Sequence, residues 1–222
     1  MNYTLKNEKL TATFKTAGAE LISLKFNNKK EKYMPIKIYI DQGHNPGSIN
    51  AGASGNGLVE AEVTYQAGVY LKELLDTNCN FEVRLSRNSV EEVLGTNTRE
   101  SLQERVEMAN DWSADYFISI HVNANTNTSI SGTEVYVYAT NTVASNLAYD
   151  VLNGIVEVAK TRDNGVYVNP LFYVLRNTTM PAILVELGYL TNIEDANLLR
   201  NDLFLFSLGM YVGILRFFGY IS

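Results

Sequence analysis

From residue 35 onward, apolar segments of strand length alternate with longer segments of helical periodicity. Such alternation is typical of an α/β domain, in which helices pack on a largely parallel sheet. The length of 222 residues suits one full-sized domain with little left over. The predicted strands are 36–40, 81–87, 116–121, 133–138, 172–175 and 182–187, and the predicted helices are 58–76, 99–110, 143–159 and 194–217.

The first 33 residues follow a different pattern. Two short alternating segments, 10–14 and 21–26, predict two strands with a turn over 16–19, and residues 27–32 form a polar break. The segment resembles the opening strands of aldose 1-epimerase (galactose mutarotase-like) proteins, but the resemblance contains no catalytic residue. We therefore expect a short, non-catalytic N-terminal β-hairpin extension over 1–33, followed by one catalytic domain over 34–222.

The composition excludes several classes of protein. The net charge of −6 argues against a nucleic-acid partner and against electrostatic attraction to an anionic membrane. The sequence contains one cysteine, which rules out an intramolecular disulfide. No secretory signal pattern and no run of about 18 apolar residues is visible, so we expect neither a signal peptide nor a transmembrane helix. A route of export is left open.

Polar residues of catalytic type lie at the predicted strand ends. His44 follows the strand that ends at residue 40, His121 ends the strand 116–121, and Glu186 lies near the end of 182–187. Active sites of open α/β sheets gather outside the carboxyl ends of the strands. We therefore expect these side chains to lie close together, with Glu60 joining them from the start of the first long helix.

Two imidazoles and one carboxylate are a common ligand set of catalytic zinc, which keeps its fourth position open for water. A further carboxylate that does not bind the metal can carry the proton. The pattern alone also allows His44 and His121 to be structural, and Glu60 to be a favourable charge at a helix N-terminus. Glu62 is a rival to Glu60, but two positions along a helix it faces another way.

Three motifs occur in order: Ile-Asp-Gln-Gly-His, Ser-Ile-His-Val-Asn-Ala and Val-Glu-Leu-Gly-Tyr-Leu-Thr-Asn. Together they resemble the zinc-dependent N-acetylmuramoyl-L-alanine amidases of the amidase-3 type, over about residues 35–220. The resemblance implies a three-layer fold with a mixed, mostly parallel sheet of about six strands flanked by helices. It also implies cleavage of the peptidoglycan amide bond between N-acetylmuramic acid and L-alanine, at the cell wall.

The resemblance assigns roles to four residues of this chain. His44, Glu60 and His121 match the ligands of one Zn²⁺ per chain, and Glu186 matches the catalytic glutamate. The first motif departs from the family pattern, which has a proline after the aspartate and two glycines after the histidine. Here Gln42 replaces that proline and Asn-Pro-Gly follows the histidine, so we expect the ligand to be kept and the loop geometry to differ.

Other residues are candidates by type alone. Asn123, two positions after His121, is a candidate to line the substrate groove, and Arg176 a candidate to hold a stem-peptide carboxylate. Ligating histidines usually donate their second nitrogen to a carboxylate or a carbonyl. Asp41, Glu20 and Glu134 are candidates for that role, and the sequence does not choose among them.

Two other functions compete with the amidase hypothesis. A zinc peptidase acting within the stem peptide would use the same metal chemistry and differ only in its products. A non-catalytic wall-binding module is opposed by the complete set of ligands and the additional glutamate. The sequence leaves open the choice between a host autolysin and a phage lysin, the stem-peptide preference, the role of residues 1–33 and the oligomeric state.

Overall fold

The computed structural model describes the backbone of residues 2–6, 10–15, 20–26 and 34–221, and the side chains of residues 34–221. The chain divides into two compact units, Met1–Met34 and Pro35–Ser222. The turn predicted over 16–19 and the polar break predicted over 27–32 lie outside the described residues.

The N-terminal unit contains three strands rather than the predicted two. These are β1 (Asn2–Lys6), β2 (Leu10–Lys15) and β3 (Glu20–Phe26), in the order β1-β2-β3 with both pairs antiparallel. The hairpin prediction is therefore incomplete. Only Tyr3 and Leu5 are apolar in β1, which is too few for a recognisable alternation.

The second unit alternates strands and helices, as the sequence predicts. Its elements are β4 (Ile36–Gln42), β5 (Ser54–Gly55), β6 (Leu58–Val59), α1 (Glu60–Asp76), β7 (Phe81–Leu85), α2 (Thr98–Asp111), β8 (Tyr116–Asn123), β9 (Thr133–Val137), α3 (Val143–Ala159), β10 (Asp163–Val168), α4 (Tyr173–Asn177), β11 (Ala182–Tyr189), α5 (Ile193–Asn201) and α6 (Leu203–Phe217).

A six-stranded mixed sheet organises this unit, in the order β10-β9-β11-β8-β4-β7. All neighbouring strands run parallel except β11 and β9, which are antiparallel. The short strands β5 and β6 form a separate antiparallel pair that leads directly into α1. The prediction of a mixed, mostly parallel sheet of about six strands is confirmed.

Helices cover both faces of the sheet and give the predicted three layers. Helices α1, α3 and α6 pack around one core, and α2 and α4 pack on the other. Successive residues of a strand point to opposite faces. Accordingly, Ile40 belongs to the first core and its neighbour Tyr39 to the second, where its ring stacks on Phe117 with the centroids 5.7 Å apart.

Two predictions about the strands are wrong. Residues 172–175 do not form a strand but begin α4, whereas the sixth strand of the sheet is β10, which was not predicted. A four-residue apolar run does not separate strand from helix by its periodicity. Strand β10 begins with Asp163-Asn164-Gly165, residues typical of a turn, and Gly165 lies at an irregularity in its pairing with β9.

The predicted closing helix over 194–217 is two helices. Helices α5 and α6 meet at Asp202, and their axes are bent by 83°. Among the described residues no single helix is long and apolar enough to cross a membrane, although this bent pair meets the length and composition criteria together. Within α6, Phe206, Met210 and Ile214 are buried in the core, which explains the apolar character of the segment.

Three glycines let α3 and α6 approach closely. A Cβ placed on Gly154 of α3 would lie 2.2 Å from the carbonyl oxygen of Gly209, and one on Gly213 of α6 would lie 2.4 Å from the carbonyl oxygen of Asp150. Real Cβ atoms do not approach backbone so closely, so the two helices pack backbone to backbone.

We expect Gly154→Ala to destabilise the domain. Alanine favours a helix over glycine by about 1 kcal/mol, but overpacking costs about 1–3 kcal/mol, and here the added methyl meets rigid backbone. Urea unfolding of the variant should show a lower midpoint. The control is Asn153→Ala at the exposed neighbouring position of α3, which should change stability by less than about 0.5 kcal/mol. Equal midpoints for Gly154→Ala and the parent chain would contradict the close approach.

Candidate metal centre

Four predicted residues converge at one edge of the sheet. His44 lies on the loop after β4, Glu60 is the first residue of α1, and His121 lies near the end of β8. Glu186 on β11 is the register partner of His121. Because directly paired residues of neighbouring strands project from the same face, His121 and Glu186 lie side by side. The hairpin of β5 and β6 delivers Glu60 to this edge.

The carboxylate of Glu60 lies between the two imidazoles. Its Oε1 is 3.1 Å from Nε2 of His44 and 3.2 Å from Nδ1 of His121. The ligand atoms of the three residues all lie within 4.8 Å of one another. Two imidazole nitrogens and one carboxylate oxygen are the donor types that zinc prefers, so these residues fit a zinc ion.

A backbone carbonyl sets the orientation of His44. Its Nδ1 lies 3.1 Å from the carbonyl oxygen of Asn50, and since a carbonyl only accepts, Nδ1 carries the proton. Nε2 is then the nitrogen that faces Glu60, and it can bind a metal once it carries no proton. His44 has a φ of 67°, a left-handed conformation that is uncommon outside glycine. Backbone strain of this kind persists where the surroundings impose it.

Glu60 is held on both of its oxygens. Its Oε2 accepts a hydrogen bond of 2.8 Å from the amide of Ala53, and its Oε1 accepts one of 3.0 Å from the amide of Val122. The residue is only 4% exposed, whereas its sequence rival Glu62 is exposed. The structure therefore brings Glu60, and not Glu62, between the histidines.

The protonation of Glu60 and the protonation of His44 depend on each other. Burial raises the pKa of Glu60, but hydrogen bonds from His121 and His44 outweigh it and hold the pKa far below its usual range. Burial lowers the pKa of His44, but the Glu60 carboxylate outweighs it and the pKa is raised. Glu60 is therefore ionised at neutral pH, as a metal ligand must be.

A buried arginine holds the loop that carries His44. Arg105 of α2 donates to Oδ1 of Asp41 at 2.6 Å, to the carbonyl oxygen of Gln42 at 2.6 Å, to that of His44 at 2.5 Å and to Oδ1 of Asn45 at 2.8 Å. Burial raises the pKa of Asp41, but Arg105 and the Ser119 hydroxyl outweigh it and lower the pKa.

Glu186 faces a cavity of about 510 Å³ that His44, Glu60 and His121 also line. Its Oε2 is buried and, within the described part of the chain, has no hydrogen-bond partner. Burial, then the nearby carboxylates of Glu60 and Glu134, raise the pKa of Glu186 well above its usual value. A carboxyl in this environment binds a proton readily.

Of the two candidates for substrate binding, only one lines this cavity. Asn123 does so, and its Nδ2 donates to Oε1 of Glu134 at 2.7 Å. Arg176 is exposed at the end of α4 and lines a different cavity, together with Pro181 and Ala182. Its role in holding a stem-peptide carboxylate stays a prediction.

The carboxylates suggested as partners of the histidine rings have other contacts. Asp41 binds Arg105 and Ser119, and Glu134 binds Asn123. The ring of His44 instead donates from Nδ1 to the carbonyl oxygen of Asn50, which belongs to the same loop. The side chain of Glu20, the third suggestion, lies outside the described residues.

Sequence reasoning missed Arg105 and Gly52. Arg105 follows the pattern of a surface residue on a predicted helix, and nothing in the sequence signals its burial. Gly52 packs against the centre, since a Cβ there would lie 2.6 Å from Cγ of His44 and 2.7 Å from Oε2 of Glu60.

A larger cavity of about 660 Å³ borders β7. It is lined by Tyr39, Arg84 and Trp112 but by none of the four convergent residues, so the chemistry of the lining residues, and not the size of the cavity, identifies the site.

Fold and site together indicate the class of protein: an α/β domain with a His-Glu-His group that could hold a metal and a further glutamate beside it, a set of residues that hydrolytic zinc enzymes use. The family profile described as N-acetylmuramoyl-L-alanine amidase matches residues 38–216. The chain therefore belongs to the N-acetylmuramoyl-L-alanine amidase family.

Individual relatives agree with this membership. The chain is 39% identical over 175 residues to the N-acetylmuramoyl-L-alanine amidase CwlM of Bacillus licheniformis, an alignment that covers 78% of this chain and 64% of that protein. The N-acetylmuramoyl-L-alanine amidase from Clostridium difficile 630 superposes with a TM-score of 0.74 at 30% identity, over 85% of this chain and 99% of that one.

A second solved structure gives the same result. The catalytic domain of CwlV, an N-acetylmuramoyl-L-alanine amidase from Bacillus (Paenibacillus) polymyxa var. colistinus, superposes with a TM-score of 0.72 at 28% identity, over 82% of this chain and 98% of that one. The chain thus matches the length of solved catalytic domains but less than two thirds of the length of CwlM. None of these relatives is an epimerase, so the resemblance noted for residues 1–33 stays a prediction.

We expect Gly52→Ala to weaken zinc binding by about 10–100-fold, because the methyl group would displace His44 or Glu60. Gly47→Ala is the matched control. Both glycines have positive φ, 73° and 82°, but a Cβ on Gly47 meets nothing within 4 Å. Competition with a chromophoric chelator measures both affinities. Equal losses in the two variants would trace the effect to backbone strain and not to the centre.

We expect Arg105→Lys to lower both stability and zinc affinity, because an ammonium group cannot reach all the acceptors that the guanidinium binds. The loss of one buried charged hydrogen bond costs about 1.5–3 kcal/mol, which denaturant unfolding followed by circular dichroism resolves. Arg99→Lys, at an exposed position of the same helix, is the control. Indistinguishable unfolding curves for the two variants would show that Arg105 does not hold the loop.

Proposed function

We propose that this chain is a zinc-dependent peptidoglycan hydrolase that cleaves the amide bond between N-acetylmuramic acid and L-alanine in the bacterial cell wall. The observation that carries the proposal is the grouping of His44, Glu60 and His121 around one point, with Glu186 in the same cavity. The amidase names of the relatives support the choice of bond.

We infer that His44, Glu60 and His121 hold one zinc ion per chain. A zinc ion supplies Lewis acidity, which lowers the pKa of a water to about 7 and polarises a carbonyl oxygen. The protonation of the ligands suits this role. The bond from Nδ1 to Asn50 makes Nε2 the nitrogen of His44 that is directed at the metal position, and Glu60 is ionised.

In the proposed reaction, Glu186 is the general base and then the general acid. Its carboxylate accepts a proton from the attacking water and passes it to the departing alanine nitrogen. The raised pKa of Glu186 suits both steps, because the group must take the proton and release it in one turnover. Its Oε2, which has no hydrogen-bond partner among the described residues, is available for this proton.

The cavity beside Glu186 supplies the substrate-binding surface in this proposal. Leu171 and Phe172 line it from the segment before α4, Tyr173 lines it from the first position of α4, and Asn123 lines it from the end of β8. Apolar side chains exclude water from the reacting amide, and one amide group offers a directional hydrogen bond, a combination typical of small-molecule sites.

Products distinguish the proposed activity from a peptidase. Purified peptidoglycan digested by the zinc-loaded chain, with a chelated control, should release free stem peptides that begin with alanine. Mass spectrometry would identify them. Shortened stems still attached to sugar would assign the chain to the peptidases, and binding without any metal-dependent product would assign it to wall-binding modules.

We expect Glu186→Gln to lower turnover by at least about 100-fold while zinc content stays at one per chain, because glutamine keeps the shape but cannot carry the proton. Glu62→Gln, at an exposed position of α1, should remain active. Turnover is read from the released stem peptides and metal content from elemental analysis. Near-normal turnover of Glu186→Gln would remove Glu186 from the mechanism.

A further inference from the structure

A second buried glutamate lies next to the site. Glu134 on β9 is 6% exposed. Its Oε1 accepts hydrogen bonds from Nδ2 of Asn123 at 2.7 Å, from the hydroxyl of Tyr136 at 3.0 Å and from the hydroxyl of Tyr189 at 3.2 Å. The donors come from three neighbouring strands, β8, β9 and β11, so one oxygen atom ties these strands together at the edge of the cavity.

The sheet register places this cluster around Glu186. Glu186 pairs with His121 on one side and with Glu134 on the other, so these side chains form a row across β8, β11 and β9. Strands β8 and β9 lie on either side of β11 and are roughly 10 Å apart. The bond from Asn123 to Glu134 therefore spans β11, and the charge of Glu134 acts on Glu186.

Within the described residues, hydrogen bonding leaves one oxygen of the Glu186 carboxylate unfixed. Its Oε2 has no hydrogen-bond partner among the described residues, and the pairing of β11 with β8 is irregular between Glu186 and Tyr189. The side chain therefore depends on its neighbours for its position. Burial, followed by the charge of Glu134, raises the pKa of Tyr189 to about 12, so its hydroxyl stays a donor at neutral pH.

We propose that Glu134 is a positioning residue, which holds Asn123, Tyr136 and Tyr189 as a frame around Glu186 and so fixes the Glu186 carboxylate relative to His121. This inference rests on the proposed function, in which Glu186 moves the proton. Misplacing a reacting group by about 1 Å can cost about 100-fold in rate, so a frame that touches no reacting atom still controls turnover.

Two substitutions separate position from charge. Glu134→Ala removes the acceptor and frees all three donors, and we expect kcat to fall by about 10–100-fold. Glu134→Gln keeps a carbonyl oxygen at the same place, and we expect kcat to stay within about fivefold of the parent value because a neutral acceptor is only somewhat weaker. KM should change less than kcat in both variants, since Glu134 affects substrate binding only through Asn123 in this proposal.

Zinc stoichiometry and thermal unfolding are measured beside the kinetics. The inference predicts one zinc per chain in both variants, with the loss mainly in kcat. Glu82→Ala, an exposed glutamate of β7, is the control for a lost carboxylate. If Glu134→Ala does not fold, the double change Tyr136→Phe and Tyr189→Phe removes two donors and keeps both rings, and it should lower kcat by about three- to tenfold.

Three results would overturn the inference: unchanged kcat in Glu134→Ala or in the double tyrosine variant, equal losses in the alanine and glutamine variants, or a loss of kcat that matches a loss of zinc. The parent chain separates this inference from the proposed function. A parent chain that releases no stem peptides contradicts the proposed function, whereas a working parent with an equally active Glu134→Ala contradicts only the role of Glu134.

Discussion

The buried pair of Arg105 and Asp41 is the interaction on which the site depends. Both residues are 1% exposed. The free energy lost by removing two charges from water is offset only where the geometry of the pair is good and the remaining donors are bound. Here the guanidinium also donates to the backbone carbonyls of Gln42 and His44. The pair therefore fixes one conformation of the loop that carries His44. It thereby allows His44 to keep its uncommon positive φ.

The sheet supplies the rest of the site through its register. Parallel pairing of β8 and β11 sets His121 beside Glu186, and the antiparallel β9 adds Glu134 to the same row. The opposite face of the sheet carries the larger apolar core, where α3 and α6 pack backbone to backbone. The packed core on one face stabilises the domain, whereas the polar residues at the strand ends form the site, as is usual in α/β domains.

The sequence predicts most of the fold and the centre because both follow from local patterns. The ends of the strands can be recognised in the sequence, and His121 and Glu186 lie at or near them. The sequence does not predict Arg105, because an arginine on a polar helix gives no local sign of burial at a contact 64 residues away. Strand β10 and helix α4 were missed for a related reason. A turn-like start and a short apolar run have no distinct periodicity, and only the neighbouring strand decides their form.

Glu60 and Glu186 show how environment gives one residue type two roles. Both are largely enclosed in the same cavity, and burial alone would raise the pKa of each. Two imidazoles and two backbone amides contact the carboxylate of Glu60. They outweigh the effect of burial on its pKa and keep it ionised. In the described part of the chain one oxygen of Glu186 has no donor, and two nearby carboxylates add to the effect of burial in raising its pKa. The number of donors around each carboxylate thus suits Glu60 to hold a metal and Glu186 to carry a proton.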